Sequence, residues 1–108
     1  MNLKIVNLPT FEKKVKKLFK KYKKLPKDLK TLRDVLLDNP KAGTHIVSSC
    51  YKIRLENSSI PTGKSGGFRV IYYYLKEDKL YLMTIYSKSD LETISEKEII
   101  EILNKYGL

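Results

Sequence analysis

The sequence predicts an α+β domain, with an N-terminal helical hairpin and a C-terminal helix packed on a small, mainly antiparallel sheet. Three observations predict it. Two segments before residue 40 repeat apolar residues at helical spacing. Three later runs are rich in Val, Ile, Tyr and Phe and alternate with a period of two. The last fourteen residues carry helix caps at both ends. A chain of 108 residues is expected to form one domain spanning 1–108. The expected order is β-α-α-β-β-β-α, with the helices on one face of the sheet.

The elements follow in order. Residues 2–8 suit a short first strand. Thr10 is the expected N-cap of the first helix, and Glu12 favours its positive end. Phe11, Val15, Leu18, Phe19, Tyr22 and Leu25 form its apolar stripe, and Leu25-Pro26 is expected to break it. A second helix over about 27–38 turns Leu29, Leu32, Val35 and Leu36 inward, and Asn39-Pro40 ends it. Residues 41–50 read as a loop with a short strand at Ile46-Val47. Strands are expected at about 51–56, 68–76 and 79–87, the last two joined by a tight turn at Lys76-Glu77-Asp78-Lys79. The loop 57–67 is expected to be exposed and mobile. Ser95-Glu96-Lys97-Glu98 is a capping box, Ile99, Ile100, Leu103 and Tyr106 make a stripe, and Gly107 suits the position after the helix.

Charge narrows the function. Lys and Arg number 22 against 12 Asp and Glu, a formal net charge of +10. Such an excess points to a polyanionic partner. Only three of the cations are arginines, Arg33, Arg54 and Arg69. Their rigid forks of donors suit a phosphate better than the hydrated charge of lysine does. The single cysteine, Cys50, excludes an internal disulfide and a cysteine-based zinc site, and reads as a small buried hydrophobe. No stretch approaches the roughly 18 apolar residues of a membrane span, and no signal peptide is evident, so the cytoplasm is the expected compartment. The lone histidine, His45, leaves two-histidine ribonuclease chemistry without its second base, and no acidic or His cluster has metal-ligand spacing. No cofactor or metal is expected.

Two basic surfaces stand out. The first helix carries Lys13, Lys14, Lys16, Lys17, Lys20, Lys21, Lys23 and Lys24. They make either a phosphate-tracking surface or a solvated face. The second surface arises from strand alternation. Phe68, Val70, Tyr72 and Tyr74 share one face, and Arg69, Ile71, Tyr73 and Leu75 the other. Tyr51-Lys52-Ile53-Arg54-Leu55 alternates likewise, so Lys52, Arg54 and Arg69 are expected to pool on one surface. The glycine-rich loop beside it adds Lys64 and lets backbone and ligand approach closely through Gly63, Gly66 and Gly67. It lacks the Walker A spacing. Lys88 lies near the rim of this surface, and Tyr86 either ends the last strand or stacks on a base.

Cys50-Tyr-Lys-Ile-Arg-Leu55, Gly66-Gly-Phe-Arg-Val-Ile-Tyr-Tyr-Tyr74 and Leu82-Met-Thr-Ile-Tyr-Ser-Lys-Ser-Asp90, with a helical hairpin before and a capped helix after, resemble the RelE/HigB-type toxins of bacterial type II toxin–antitoxin systems. The glycine-loop run resembles the HigB-like branch most. The resemblance covers essentially the whole chain. It implies ribosome-dependent cleavage of mRNA, translation inhibition, and restraint by a cognate antitoxin that is acidic or carries a helix-turn-helix. It also implies that Lys52 and Arg54 correspond to the family's basic pair, Arg69 to its next arginine, and Lys88 to its basic residue after the last strand. Ser89 stands where many relatives carry a further arginine, and residues 93–97 lack the tyrosine some relatives have.

The implied chemistry is metal-free attack of a ribose 2′-OH on the adjacent phosphorus. Lys52 is the expected base, because cationic neighbours favour its neutral amine. Arg54 and Arg69 are expected to hold the phosphate, and Lys88 or Tyr86 to serve the leaving oxygen. The ribosome would position the mRNA while the lysines of the first helix contact ribosomal RNA. Gyrase inhibition, as in the related ParE branch, and non-enzymatic RNA binding remain the alternatives.

Overall fold

The computed structural model describes residues 3–61, 66–76, 78–90 and 93–108. Within them run β1 (Lys4–Asn7), α1 (Pro9–Phe19), α2 (Leu25–Asp38), β2 (Thr44–His45), β3 (Cys50–Leu55), β4 (Phe68–Tyr73), β5 (Lys79–Ser87) and α3 (Glu96–Tyr106). The five strands form one sheet in the order β1-β5-β4-β3-β2. β1 runs parallel to β5, and the other neighbours are antiparallel. The α+β fold and the mainly antiparallel sheet are as the sequence predicts. Lys64 and Gly63, assigned to the glycine loop, and Glu77 of the expected turn lie outside the described residues.

The helix boundaries differ from the expectation for reasons of proline chemistry. α1 opens at Pro9, with Leu8 in the cap position. A proline in the first turn loses no hydrogen bond, since that N–H would be unpartnered anyway. Thr10 is thereby inside the helix, and its hydroxyl meets the Tyr106 hydroxyl at 2.6 Å, tying the start of α1 to the end of α3. α1 stops at Phe19. The N–H groups of Lys21 and Tyr22 both return to the Leu18 carbonyl, at 3.0 and 2.8 Å, which turns Tyr22 inward. Pro26 then opens α2 from its first turn instead of marking a gap before it. Along α2 the buried residues are Leu25, Asp28, Leu32 and Leu36, while Val35 is 40% exposed, contrary to its expected inward position.

The helices cover both faces of the sheet, where the sequence pattern suggested one. Phe11, Leu32 and Leu36 of the helical hairpin pack with Val70, Tyr72 and Ile85. Ile99 and Leu103 of α3 pack with Ile71, Met83 and Cys50 on the opposite face. The cause lies in the central strands. β4 and β5 are buried through nearly all of their length, so neither face can be left to water. A bulge sharpens the division: Ile71 pairs with Thr84 but Tyr72 with Leu82, which leaves Met83 as the extra residue. Cys50 Sγ donates to Met83 Sδ at 3.7 Å beneath α3.

The expected short strand at Ile46-Val47 is displaced to Thr44–His45. The loop after β3 is better fastened than expected over its first part. Asp28 accepts hydrogen bonds from the Ser58 N–H, at 2.9 Å, and from the Ser58 hydroxyl, while the Lys24 N–H donates to Ser59 Oγ at 3.0 Å. Residues 57–59 are thus tied to the start of α2. At the other end of the chain, Ser95 Oγ accepts the Glu98 N–H at 3.2 Å, and Gly107 takes the left-handed conformation with φ of 69°. Both caps of α3 are where the sequence placed them.

Candidate active site

Strand register builds the site. Arg54 lies directly opposite Arg69 across the β3–β4 ladder, and Lys52 lies opposite Ile71. Alternation places all three on the sheet face that α3 packs against. Like charges directly opposite in a ladder repel, which destabilises the pair unless an anion lies between or beside them. Arg69 is only 6% exposed, and its Nη1 donates to the Phe68 carbonyl at 3.2 Å. Arg54 is exposed.

Gly67 brings the fourth cation in. A Cβ at this position would lie 2.3 Å from the Leu55 carbonyl oxygen, so only glycine lets the chain run this close to the end of β3. The Gly67 carbonyl in turn accepts the Lys88 N–H at 2.9 Å. Lys88 is the first residue after β5, and this bond fastens it at the same end of the sheet as Arg54 and Arg69. The four residues line one cleft of about 810 Å³, which wraps the β3 side of the sheet, since Ile53 and Leu55 of the hairpin face line it as well. Its far wall comes from α2, through Lys27, Thr31 and Val35, and from the Gly43-Thr44 segment. Among the described residues, five cations face the cleft against two carboxylates, Asp28 and Glu56, and Asp28 is already engaged by Ser58. The volume is that of a small-ligand site, large enough for a phosphodiester with a flanking nucleotide.

The structure therefore brings together Lys52, Arg54, Arg69 and Lys88. It does not bring Tyr86 into that cleft. Tyr86 pairs across the ladder with Arg69, but it is 8% exposed, packs in the α3 core, and lines a separate cavity with Thr10, Lys14 and Glu98. Its buried hydroxyl makes no hydrogen bond among the described residues. Lys13, Lys16, Lys17, Lys20, Lys21 and Lys24 are all exposed and belong to α1 and the turn after it, not to the cleft. Lys21 reaches Asp90 at 3.9 Å. The α2 wall was not anticipated from sequence. Lys27 and Thr31 look like ordinary solvent-facing helix residues, and only the packing of α2 beside β3 gives them a cleft to line.

The remaining titratable groups have structural surroundings. Burial pushes the Cys50 thiol up to about 11, which keeps it protonated and unreactive. His45 is exposed, with its Nε2 against the Ser48 carbonyl and its ring edge-on to Tyr51. Among the described residues, no three His, Cys, Asp or Glu side chains gather as a metal-ligand set. Also among them, no helix is long and apolar enough to cross a membrane.

No family model matches the sequence. Among solved structures, the chain is similar to the E. coli toxin RelE in its free state, with a TM-score of 0.58 and 20% sequence identity over 85% of this chain and 90% of that one. The fold is that of RelE. The RelE-like fold spans the hairpin, the sheet and α3 together, and within it the paired arginines and two lysines occupy one cleft.

Proposed function

We propose that this protein is the toxin of a toxin–antitoxin pair, of the HigB-like kind, and that it inhibits translation by cutting mRNA on the ribosome without a metal ion. The observation that carries the reading is the direct opposition of Arg54 and Arg69 in a cleft that also holds Lys52 and Lys88. Two opposed guanidiniums suit a group whose negative charge grows during the reaction, as a phosphodiester's does when a fifth oxygen joins the phosphorus.

Lys52 takes the proton of a ribose 2′-OH. The 2′-oxygen bonds to the adjacent phosphorus, the bond from phosphorus to the 5′-oxygen breaks, and the products are a 2′,3′-cyclic phosphate and a 5′-hydroxyl. Arg54 and Arg69 bind the non-bridging oxygens. Lys88 binds phosphate or gives the leaving 5′-oxygen its proton. The separation of Tyr86 from the cleft favours Lys88 for that step. Little covalent work falls to the protein, so positioning and charge carry the rate. The exposed lysines of α1 contact ribosomal RNA, and a cognate antitoxin restrains the toxin in the cytosol.

The test is cleavage of a translated mRNA by purified protein in an in vitro translation reaction. Arg69→Ala is expected to lose at least about tenfold in rate, or 1.4 kcal/mol of transition-state stabilisation. Undiminished cleavage by that variant would remove Arg69 from the mechanism. DNA damage on expression, with intact mRNA, would point instead to gyrase inhibition.

A further inference from the structure

β2 covers only part of β3. Its two residues pair with Tyr51 and Lys52, and the sheet ends there. On this outer side Cys50 bonds the Val47 carbonyl through its N–H and the Ile46 N–H through its carbonyl, both at 2.9 Å. Alternation turns the backbone groups of Lys52 and Arg54 the same way. Thr44 lies opposite Lys52, but among the described residues no strand lies opposite Arg54 on that side. The Arg54 N–H and C=O therefore stand on an open strand edge. The basic cleft passes around this edge. On its α3 side lie the side chains of Lys52, Arg54 and Arg69. On its hairpin side is a recess lined by Ile53 and Leu55 of β3 and by Leu32 and Val35 of α2.

Phosphate binding does not explain what lines this recess. Val35 is an apolar side chain left exposed at its wall. Glu56, the residue after β3, lines the cleft and forms no ion pair among the described residues, although five cations share the cleft with it. A carboxylate so placed weakens their hold on a phosphate. It suits instead a part of the ligand that donates hydrogen bonds. Its backbone is well fixed: Gly67 runs close to the Glu56 Cα, and Ser58 is tied to Asp28 of α2. Lys27 of α2 adds a donor to the same cleft.

We propose that the recess is a base pocket, which seats a guanine whose ribose joins the phosphate held by Arg54 and Arg69. The assignment rests on the RNA-cleavage reading given above. A flat ring with apolar faces fits the wall made by Val35, Leu32 and Ile53. Guanine presents two adjacent donors, N1–H and the N2 amine, and the two oxygens of the Glu56 carboxylate accept both. Its O6 and N7 are acceptors for Lys27. The Arg54 N–H and C=O offer a further donor and acceptor at the edge. Adenine and cytosine set an acceptor beside their amine, and uracil sets carbonyls beside its N–H, so each of them turns a lone pair toward Glu56. Phosphate and base lie on opposite sides of one strand edge, joined by the ribose.

The pocket is tested first by binding. Labelled 2′-O-methyl trinucleotides keep the base and the charge and lose the nucleophile, so none is cut. Fluorescence anisotropy compares uridine-guanosine-uridine with the same trinucleotide carrying inosine, which lacks only the N2 amine. Their equal charge cancels the sequence-independent part of the affinity. Guanosine is expected to bind about fivefold tighter or more, and Glu56→Gln to bring the ratio below about twofold. Glu56 is exposed, so that variant keeps the fold. Val35→Ser, which strips the apolar wall, is expected to weaken both trinucleotides about threefold. Equal affinities in the wild type, a preference kept in Glu56→Gln, or unweakened binding by Val35→Ser overturns the pocket.

The second arm is the in vitro translation reaction, with cuts mapped by primer extension. Cuts flanked by guanosine are expected to outnumber those flanked by any other base about fivefold or more, and Glu56→Gln to even them out. Cleavage with no base preference overturns the pocket and keeps the cleavage reading. A guanosine preference in binding, by a protein that cuts no translated mRNA, keeps the pocket and rejects that reading.

Discussion

Arg54→Met is expected to make the protein more stable and less able to respond to an anion. Arg54 and Arg69 are direct partners across the β3–β4 ladder. Cβ atoms so placed are about 5 Å apart, and two splayed guanidiniums sit about 8 Å apart. At that separation the repulsion is about 2 kcal/mol at an effective dielectric constant near 20, and about 0.5 kcal/mol in bulk water. Arg54 is exposed, so the lower half of the range applies, about 0.5–1 kcal/mol. Methionine keeps the apolar stem and removes the charge. For a domain of this size that gain raises Tm by about 2–6 °C. The assay is thermal unfolding by circular dichroism at 10 mM and 1 M NaCl. The gain is expected at low salt, where the Debye length is about 30 Å, and is expected to vanish at 1 M, where it is about 3 Å. Added sulfate is expected to stabilise the wild type more than the variant, because the paired arginines bind it better. A lower Tm for Arg54→Met at 10 mM NaCl would refute the argument that the two arginines repel across the ladder.

Three further outcomes are expected. Gly67→Ala forces a Cβ into the Leu55 carbonyl and is expected to cost about 2–3 kcal/mol or prevent folding, read by urea denaturation. Combined replacement of Lys16, Lys17 and Lys20 by Gln is expected to leave Tm nearly unchanged while weakening RNA binding, and to flatten the plot of log affinity against log salt by about 0.7 for each phosphate no longer neutralised. Burial raises the Cys50 thiol from 9.0 to about 11. Between those pH values the unfolded chain has released the thiol proton and the folded chain has kept it, so stability falls as pH rises. The contribution is about 3 kcal/mol at most, and a Cys50→Ala variant is expected to show a shallower loss of stability over the same interval.

Local chemistry made most elements legible in the sequence. Ser95, Glu98 and Gly107 announce α3 because caps act within a few residues of the helix they end. The alternation around Arg69 placed it on the correct face of β4, since side-chain direction in a strand depends only on parity. Long-range partnership was less accessible. Pro26 reads as a helix breaker or a helix opener, and the choice is made by Leu25 burying itself in the hairpin core. Asp28 looks like an exposed first-turn carboxylate, yet Ser58, thirty positions on, draws it inside. Val35 has helical spacing with Leu32 and Leu36 but faces the cleft. The two-sided covering of the sheet follows from how fully β5 is buried, which no single segment discloses. In the site, Lys52, Arg54 and Arg69 were grouped by strand parity alone, whereas the α2 wall and the seclusion of Tyr86 depend on how helices sit over the sheet.

The parallel pairing of β1 with β5 bears on how the molecule is born. β1 is synthesised well before its partner, which runs from Lys79 to Ser87. Synthesis runs from the N-terminal side, yet this strand has no β5 ladder to join until the residues up to Ser87 exist. Pairings this distant in sequence slow folding, because a long loop must close before they form. The cleft is subject to the same delay, since its cations are spread from Lys27 to Lys88. A nascent chain therefore carries its basic charge early and its assembled anion site late, which separates the attraction of the polypeptide to RNA from the geometry needed to act on it.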